Sequence, residues 1–396
     1  MRFASILFLF FLAFSFLGKL PAQLIPGNSY FSPDNYIEYI PGNLPLIISV
    51  PHGGDLKPQS IPDRDCSGCV YVKDAFTQEL GREIAASIQT ESGCHPHLII
   101  NLLHREKLDA NRAIGEAADS NPEAEAAWAS YHAFIDSAET QIMQSFGKGL
   151  FLDLHGHGHD IQRIELGYLL SDSELRMPNS SLNDSSFLSE ISIRNLVLSH
   201  SHSHSHPLSY YLRGTQSLGA LLEDRNYPSV PSDLDPAPQN GEAYFSGGYN
   251  TRRYGSHEGG SIDAIQAECN QSIRFQENDR QRFADSMGLA ILEFLQLYYL
   301  EQGGLDFCNS VSVEEKLEFQ WELYPNPARD YLLIDTDLVQ YDMVIFNPLG
   351  QIVSQASMIS SLDRLDISSL NCGNYIVEVS QEKRVLHRAK FIKSCE

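Results

Sequence analysis

The sequence FLDLHGHGHD, residues 151–160, joins a short apolar run to three histidines at alternate positions. A run of this kind predicts a buried β-strand, so the polar residues that follow would lie at the end of that strand. Amphipathic segments with apolar residues at helical spacing alternate with such runs. Strands that alternate with helices indicate an α/β sheet domain. The other predicted strands are PLIISV (45–50), HLIINLL (97–103) and IDAIQAE (262–268), and the predicted helices are 73–89, 121–147 and 278–302.

The chain is organised into four predicted segments. Residues 1–22 have the layout of a signal peptide, with an apolar run followed by a small residue, Ala22, at the expected cleavage point. An uncleaved anchor is the alternative, and no later run reaches the ~18 consecutive apolar residues of a membrane helix. Beyond about residue 318 the chain changes to short strands separated by turn signals. The remaining segments are an α/β domain, a linker and a small β-sandwich: 23–302, 303–318 and 319–396.

Composition limits the partners and indicates the redox environment. The formal net charge is −23, which repels phosphate backbones and argues against a nucleic-acid partner. Seven cysteines in an exported chain are expected to form disulfides. The candidate pairs are Cys66 with Cys69 and Cys372 with Cys395. The odd count leaves at least one cysteine outside an intramolecular bond.

Chemically reactive side chains follow each of the four predicted strands. Ligands bind to α/β sheets beyond the carboxyl ends of the strands, so these residues are expected to form one site although they are distant in sequence. Two histidines and a carboxylate around a metal ion with an open position form a standard catalytic arrangement for Zn²⁺. The four segments are PHGGD (51–55), ANR (110–112), HGHGH (155–159) and ECN (268–270).

His52 and His155 are the predicted histidine ligands. His155 directly follows its strand and shares a face with Asp153 by the two-residue period, so the sheet fixes its position and a carboxylate can lie beside it. The other two histidines of that run lie in a glycine-rich loop, where positions are less constrained. A second histidine string, SHSHSHSHP at 199–207, lacks a nearby carboxylate and is expected to be a solvated loop.

The carboxylate ligand has two candidates. Asp55 lies three residues after His52 and could bind the same ion. Asp74 opens the first predicted helix and could reach the ion from the next loop. Asp63 and Asp65 are more typical of turn or capping residues. The residues alone leave Asp55 and Asp74 open.

Glu268 is the predicted general base. It ends an otherwise apolar strand, where a carboxylate is costly to bury without a task or a partner. As a base it would take a proton from water during attack on an amide carbonyl and pass that proton to the departing nitrogen. The alternative is a structural ion pair with Arg274.

Five motifs together resemble one enzyme family. SVPHGG, DANR, DLHGH, FSGGYNTRRYG and IQAECN occur in this order between about residues 45 and 300. They are similar to the N-formylglutamate amidohydrolase family, a zinc-dependent branch related to metallocarboxypeptidases and aspartoacylase-type deacylases. The resemblance implies a three-layer α/β/α domain with a mixed sheet, and Zn²⁺ as the cofactor.

The same resemblance implies roles for individual residues. Asp74, followed six residues later by Leu80, matches the acid that leads a helix in the family, whereas the carboxypeptidase relatives favour Asp55. An arginine suits a substrate carboxylate because its planar guanidinium donates two parallel hydrogen bonds. The implied set is zinc on His52, Asp74 and His155, catalysis by Glu268, and substrate binding by Asn111, Arg112 and Arg252.

The implied activity is hydrolysis of an amide bond in a small N-acyl amino acid that bears a carboxylate. DLHGHGHD differs from the DAHS-like segment of enzymes that act on formylglutamate, which leaves the substrate open. A secreted metallocarboxypeptidase or peptidoglycan amidase is the alternative. A non-catalytic metal-binding surface protein is a third hypothesis.

The end of the chain resembles a second family. YPNP, FNPLGQIV, LDISSLNCGNYIVEV and KFIK occur in the order typical of the C-terminal sorting domain (type A) of the type IX secretion system. This resemblance implies an Ig-like sandwich, the type IX machinery as a partner, and a secreted or cell-surface location. It also implies that the tail is usually removed after export.

Overall fold

The computed structural model divides the chain into two compact units, Met1–Asn309 and Ser310–Glu396. The predicted signal segment lies outside the described residues, and so does most of the predicted linker, 303–318. The structure describes residues 24–66, 68–199, 206–300, 304–305, 308, 322–335, 340–347, 351–358, 364–381 and 384–394.

One eight-stranded sheet forms the centre of the first unit, in the order β1-β2-β4-β3-β5-β8-β6-β7. The four central strands, β4, β3, β5 and β8, are parallel to one another. Strands β2 and β6 pair antiparallel on either side of them, so the sheet is mixed. The strands are β1 (Tyr30–Phe31), β2 (Ile37–Ile40), β3 (Leu46–Val50), β4 (His97–Asn101), β5 (Gly149–Gly156), β6 (Ile164–Gly167), β7 (Ser229–Val230) and β8 (Ile262–Cys269).

The four strands predicted from the sequence are the four central parallel strands. Parallel strands in this position are covered on both faces, and for that reason their sequences are continuously apolar. Their residues are buried, except for the partly buried Gly156 at the end of β5. The predicted α/β class and the mixed sheet are confirmed.

Helices cover both faces of this sheet, and the unit therefore has three layers. Ile48 and Leu152 face the core shared with the first and last long helices, whereas their neighbours Ile47 and Phe151 face the helix that covers the opposite side. Among the described helices, none is both long and apolar enough to span a membrane. The helices are α1 (Thr77–Ser92), α2 (Ile114–Ala118), α3 (Pro122–Phe146), α4 (Asp172–Leu175), α5 (Asn179–Leu182), α6 (Arg194–Ser199), α7 (Leu208–Arg213), α8 (Leu218–Glu223), α9 (Tyr249–Tyr254), α10 (Gln271–Arg274) and α11 (Glu277–Tyr298).

The ends of the long helices follow local chemistry. Asn121 caps α3, because its side chain accepts hydrogen bonds from the first backbone N–H groups of the helix. The predicted start of the first helix at residue 73 was wrong. Phe76 has a left-handed backbone with φ of 64°, so α1 begins only at Thr77. Asp74 therefore lies in the segment before the helix and not in its first turn.

Disulfides join segments that are both near and far in sequence. Cys66 is bonded to Cys69, as predicted, and Cys94 is bonded to Cys308, a pair that was not predicted. Cys372 is also disulfide-bonded, but its predicted partner, Cys395, lies outside the described residues.

The second unit is all-β and antiparallel. Its strands form a three-stranded sheet, β13-β10-β9, and a four-stranded sheet, β12-β11-β14-β15. Leu332, Met343, Val377 and Phe391 belong to its buried core. The predicted small β-domain is confirmed. The strands are β9 (Glu322–Tyr324), β10 (Tyr331–Asp335), β11 (Tyr341–Phe346), β12 (Ile352–Met358), β13 (Leu365–Asp366), β14 (Gly373–Gln381) and β15 (Arg384–Lys393).

Candidate metal centre and active site

A cavity of about 500 Å³ opens at the carboxyl ends of the central strands. His52 follows β3, His155 lies at the end of β5, and Glu268 lies at the end of β8; all three line the cavity. Strand alternation places His155 and Glu268 on the same face of the sheet as Asp153. The sheet therefore brings together the residues that the sequence places at strand ends.

Two imidazoles and one carboxylate converge in this cavity. The Nδ1 atoms of His52 and His155 are 3.1 Å apart. Oδ2 of Asp74 lies 3.3 Å from the first nitrogen and 3.2 Å from the second. All three residues are buried, and their ligand atoms are close enough to share one metal ion.

A buried carboxylate holds each imidazole from its other side. Nε2 of His52 is 2.6 Å from Oδ1 of Asp109, and Nε2 of His155 is 2.9 Å from Oδ2 of Asp153. An Nε2–H that donates to a carboxylate leaves the Nδ1 lone pair free for a ligand. The two hydrogen bonds thus aim both lone pairs at the same point.

Further hydrogen bonds hold these two carboxylates in place. Asp153 accepts from the hydroxyl of Ser49 at 2.8 Å. Asp109 accepts from Nε of Arg105 at 3.0 Å and from the backbone N–H of Asn111 at 3.1 Å. Because Asp109 and Asp153 are almost fully buried, these contacts determine their position.

The electrostatics of the centre favour ionised groups despite burial. Burial alone would raise the pKa of Asp74, but His52 and His155 hold that pKa well below its ordinary value. Burial would lower the pKa of His155, whereas Asp153 and Asp74 raise it well above the usual range. Burial likewise opposes ionisation of Asp109, but His52 and the neighbouring arginines keep its pKa low.

The donor set fits a divalent metal ion. The two Nδ1 atoms face each other 3.1 Å apart, and lone pairs on both would repel at that distance unless a proton or a metal ion lay between them. Imidazole nitrogen and carboxylate oxygen are ligands that Zn²⁺ and its neighbours in the transition series prefer. His52, His155 and Asp74 are thus the residues that would hold such an ion.

The structure separates the two candidate carboxylates. The side chain of Asp55 is 73% exposed and pairs with Lys73. The backbone N–H of Asp74 instead donates to the carbonyl of His52 at 3.0 Å, which brings its carboxylate to the histidines. Asp74, and not Asp55, is the acid at the centre.

Glu268 lies beside the centre and does not pair with Arg274. Its Cα is paired in register with that of His155, and its Oε1 accepts from Nε2 of Gln266 at 2.9 Å. Burial raises the pKa of Glu268 to about 8, with nearby Asp74 adding to the shift and His155 opposing it. Arg274 instead donates to the carbonyls of Cys269 and His157.

The predicted substrate-binding residues are only partly brought together. Asn111 and Arg112 line the cavity, and Nδ2 of Asn111 is 3.3 Å from Nε2 of His155. Arg252 does not line it. Helix α9 buries Asn250, Thr251 and Tyr254, which leaves Arg252 on the exposed face of the helix.

Arg105 is a cavity residue that the sequence reasoning missed. Besides its bond to Asp109, its Nη1 lies 3.4 Å from Oδ1 of Asp74. The charged head of Arg105 thus lies next to a candidate metal ligand, inside the cavity. Its sequence signal was weak, because HREKLD contains several charges of the kind that usually face solvent.

A second cluster, His157, His159 and Glu165, forms one wall of the cavity region. Nε2 of His157 donates to the carbonyl of Arg163 at 2.8 Å, and its Nδ1 accepts from the backbone N–H of His159 at 3.1 Å. Nδ1 of His159 is 2.8 Å from Oε1 of the fully buried Glu165. Residues 200–205 of the second histidine string lie outside the described residues.

Comparison with protein families identifies the tail. The secretion system C-terminal sorting domain family matches residues 322–394, which confirms the predicted sorting domain. A domain of this family indicates that the chain is exported. No curated protein matches the sequence.

Solved structures similar to this chain include the family that the motifs resemble. The N-formylglutamate amidohydrolase of Ralstonia eutropha is 13% identical, with 66% of this chain and 97% of that one covered and a TM-score of 0.41. A gene product of Agrobacterium tumefaciens is 14% identical, with 65% of this chain and 94% of that one covered and a TM-score of 0.37. The N-acetylmuramyl-L-alanine amidase of Mycobacterium smegmatis is 12% identical, with 63% of this chain and 96% of that one covered and a TM-score of 0.29.

Proposed function

We propose that the first unit is a zinc-dependent hydrolase that cleaves an amide bond in an N-acyl amino acid or a related small compound. One observation carries this proposal. The Nδ1 atoms of His52 and His155 converge with Asp74 in the cavity, and Glu268 lies beside them near the end of the adjacent strand β8. The five motifs that resemble the N-formylglutamate amidohydrolase family support the same chemistry.

Zinc is the metal that this donor set suits best. Two neutral imidazoles and one carboxylate leave a fourth position open, which is typical of catalytic and not structural zinc sites. When bound there, Zn²⁺ supplies a Lewis acid that polarises a carbonyl group and makes water more acidic. Asp109 and Asp153 hold the two imidazoles in the ligating tautomer.

Glu268 is the proposed general base, which would carry the proton. Its strand lies directly beside the strand of His155, so the carboxylate faces the same part of the cavity. It accepts a proton from the attacking water and then delivers that proton to the amine that leaves. Burial raises the pKa of Glu268, which favours uptake of a proton by this carboxylate.

Two arginines have separate proposed roles in transition-state stabilisation and substrate binding. Arg105, beside Asp74, can donate hydrogen bonds to the negative oxygen that develops on the attacked carbonyl. Arg112, at the exposed side of the cavity, can bind the carboxylate of the substrate, with Asn111 as a neighbouring donor. This arrangement selects substrates that carry an acid next to the amide.

A second candidate follows from the sorting domain. Its match at residues 322–394 favours an extracellular substrate, for which a peptidoglycan amidase or a metallocarboxypeptidase is the natural alternative. Enzymes of either kind cleave an amide bond, for which the same candidate metal ligands and base would serve.

We propose that the protein is released or attached to the cell surface through the type IX machinery, after cleavage of a signal peptide ending near Ala22.

Exchange of the acid ligand tests the metal centre. Asp74→Asn removes a charged ligand, and we expect the bound zinc to fall from about one per chain to less than ~0.2 after dialysis. Asp55→Asn is the matched control and should retain its zinc, since Asp55 pairs with Lys73. Plasma mass spectrometry measures both, and retention by Asp74→Asn would contradict the assignment.

Removal of the base tests catalysis separately from metal binding. Glu268→Gln should keep its zinc but lower kcat for hydrolysis of the substrate amide by about 10²–10⁴-fold, because a glutamine side chain cannot accept the proton from water. Glu258→Gln is the control, since that side chain is 89% exposed. Full activity of Glu268→Gln would remove Glu268 from the mechanism.

The two predicted arginines should differ in their effect. Arg112→Ala is expected to raise KM for an acidic substrate by about tenfold to a hundredfold, because a charge-assisted hydrogen bond is lost. Arg252→Ala should leave KM near the wild-type value, since Arg252 does not line the cavity. Steady-state kinetics on both variants decide this, and the reverse ranking would show that α9 reorients when substrate binds.

A further inference from the structure

We propose that the group flanking the scissile amide of the substrate is large and apolar, in contrast to a formyl group on glutamate. This inference rests on the proposed hydrolase function and specifies its substrate class. Apolar side chains lie at the mouth of the cavity, whereas the side chains on its floor are polar.

Four exposed apolar side chains line the cavity together with the candidate catalytic residues. Val70 is 43% exposed, Val72 76%, Phe245 43% and Phe275 45%, and we call these four side chains the apolar rim. Scattered exposed apolar residues are ordinary on a protein surface, but a group of them around one cavity marks a binding surface. The rim thus offers an apolar group a place in the same cavity as the candidate catalytic residues.

Phe245 is held in a fixed position. Its backbone N–H donates to Oε2 of Glu165 at 2.8 Å. Its ring stacks on the imidazole of His159, with centroids 4.7 Å apart and planes at 18°. Since His159 is itself bonded to Glu165, one buried carboxylate fixes both the backbone and the ring partner of Phe245.

Phe275, which directly follows helix α10, is fixed in a similar way. Its ring meets that of Phe76 edge-to-face at 5.3 Å, and the guanidinium of Arg274 lies 5.5 Å from its centroid. Arg280 lies 5.5 Å from the centroid of Phe76. Phe76 has a left-handed φ of 64°, which is unfavourable for a bulky residue and needs support from its surroundings.

The segment that carries the two valines is also anchored. Nη2 of Arg64 donates to the carbonyl of Val70 at 2.7 Å, and the disulfide between Cys66 and Cys69 closes the preceding turn. An apolar surface that is already rigid loses little entropy when a ligand binds. The apolar rim is therefore anchored to the rest of the unit by hydrogen bonds, a disulfide and ring contacts.

The buried floor of the cavity is polar, whereas exposed apolar side chains lie at its mouth beside Arg112. The floor holds His52, Asp74, His155 and Glu268, which suit the amide, and Arg112 suits a carboxylate. A formyl group has no apolar part that could reach the apolar rim. A medium-chain acyl group or a large apolar amino-acid side chain would cover it. Both sources share the same chemistry, an apolar group attached next to the amide.

Two series of substrates distinguish these sources on the zinc-loaded full chain. The first varies the acyl chain of N-acyl-L-glutamate from formyl and acetyl to hexanoyl and decanoyl. The second varies the amino acid of N-formyl-L-alanine, -leucine and -phenylalanine. Each buried methylene raises binding by up to about fourfold, so kcat/KM should rise at least about thirtyfold along one series. A flat profile in both series would overturn the inference while leaving the proposed hydrolase intact.

Variants of the apolar rim test its role directly. Val72→Ser and Phe245→Ser should each lower the ratio of kcat/KM between the longest and shortest substrates by about fivefold or more, because apolar contact area is lost. Leu234→Ser is the matched control, since Leu234 is 75% exposed and does not line the cavity. An unchanged ratio in both rim variants would contradict the assignment.

A binding measurement separates this inference from the proposed function. If the zinc-loaded chain hydrolyses no substrate in either series, the hydrolase proposal fails. Calorimetric binding to Glu268→Gln then decides the inference alone, with N-decanoyl-glutamate compared with N-acetyl-glutamate and N-formyl-phenylalanine compared with N-formyl-alanine. Affinity at least about tenfold higher for the larger compound of either pair supports it, and equal affinity within both pairs refutes it.

Discussion

The hydrogen bonds from two buried carboxylates to two imidazoles are the constraint on which the site depends. Asp109 fixes His52 and Asp153 fixes His155, each through Nε2. Without these bonds either ring could turn its N–H toward the cavity, and the two Nδ1 lone pairs would no longer meet. The arrangement also explains why such acidic groups are tolerated in the interior, since each is paired with a histidine or an arginine.

The sheet supplies the remaining geometry. Parallel strands β3, β5 and β8 end at the same edge, and alternation puts Asp153, His155 and Glu268 on one face. The antiparallel strand β6 brings Glu165 opposite Glu268 at this edge. Glu165, which supports Phe245, therefore lies next to the candidate base on the neighbouring strand, and a substitution at either carboxylate is expected to affect the other.

Strand-borne features were predictable from sequence, and loop-borne features were not. His52, His155 and Glu268 follow apolar runs, so their positions could be inferred from where the strands end. The choice between Asp55 and Asp74 depended on the path of the chain before α1, which the left-handed Phe76 sets. The exposure of Arg252 depended on which face of the short helix α9 packs inward, and six residues carry too little periodicity to show that.

Crystallography with anomalous scattering at the zinc edge would locate the metal on zinc-loaded protein. A single strong peak is expected at about 2.0–2.2 Å from Nδ1 of His52, Nδ1 of His155 and a carboxylate oxygen of Asp74. A peak coordinated through the Nε2 atoms, a peak at His157 and His159 instead, or no peak in zinc-loaded crystals would contradict it.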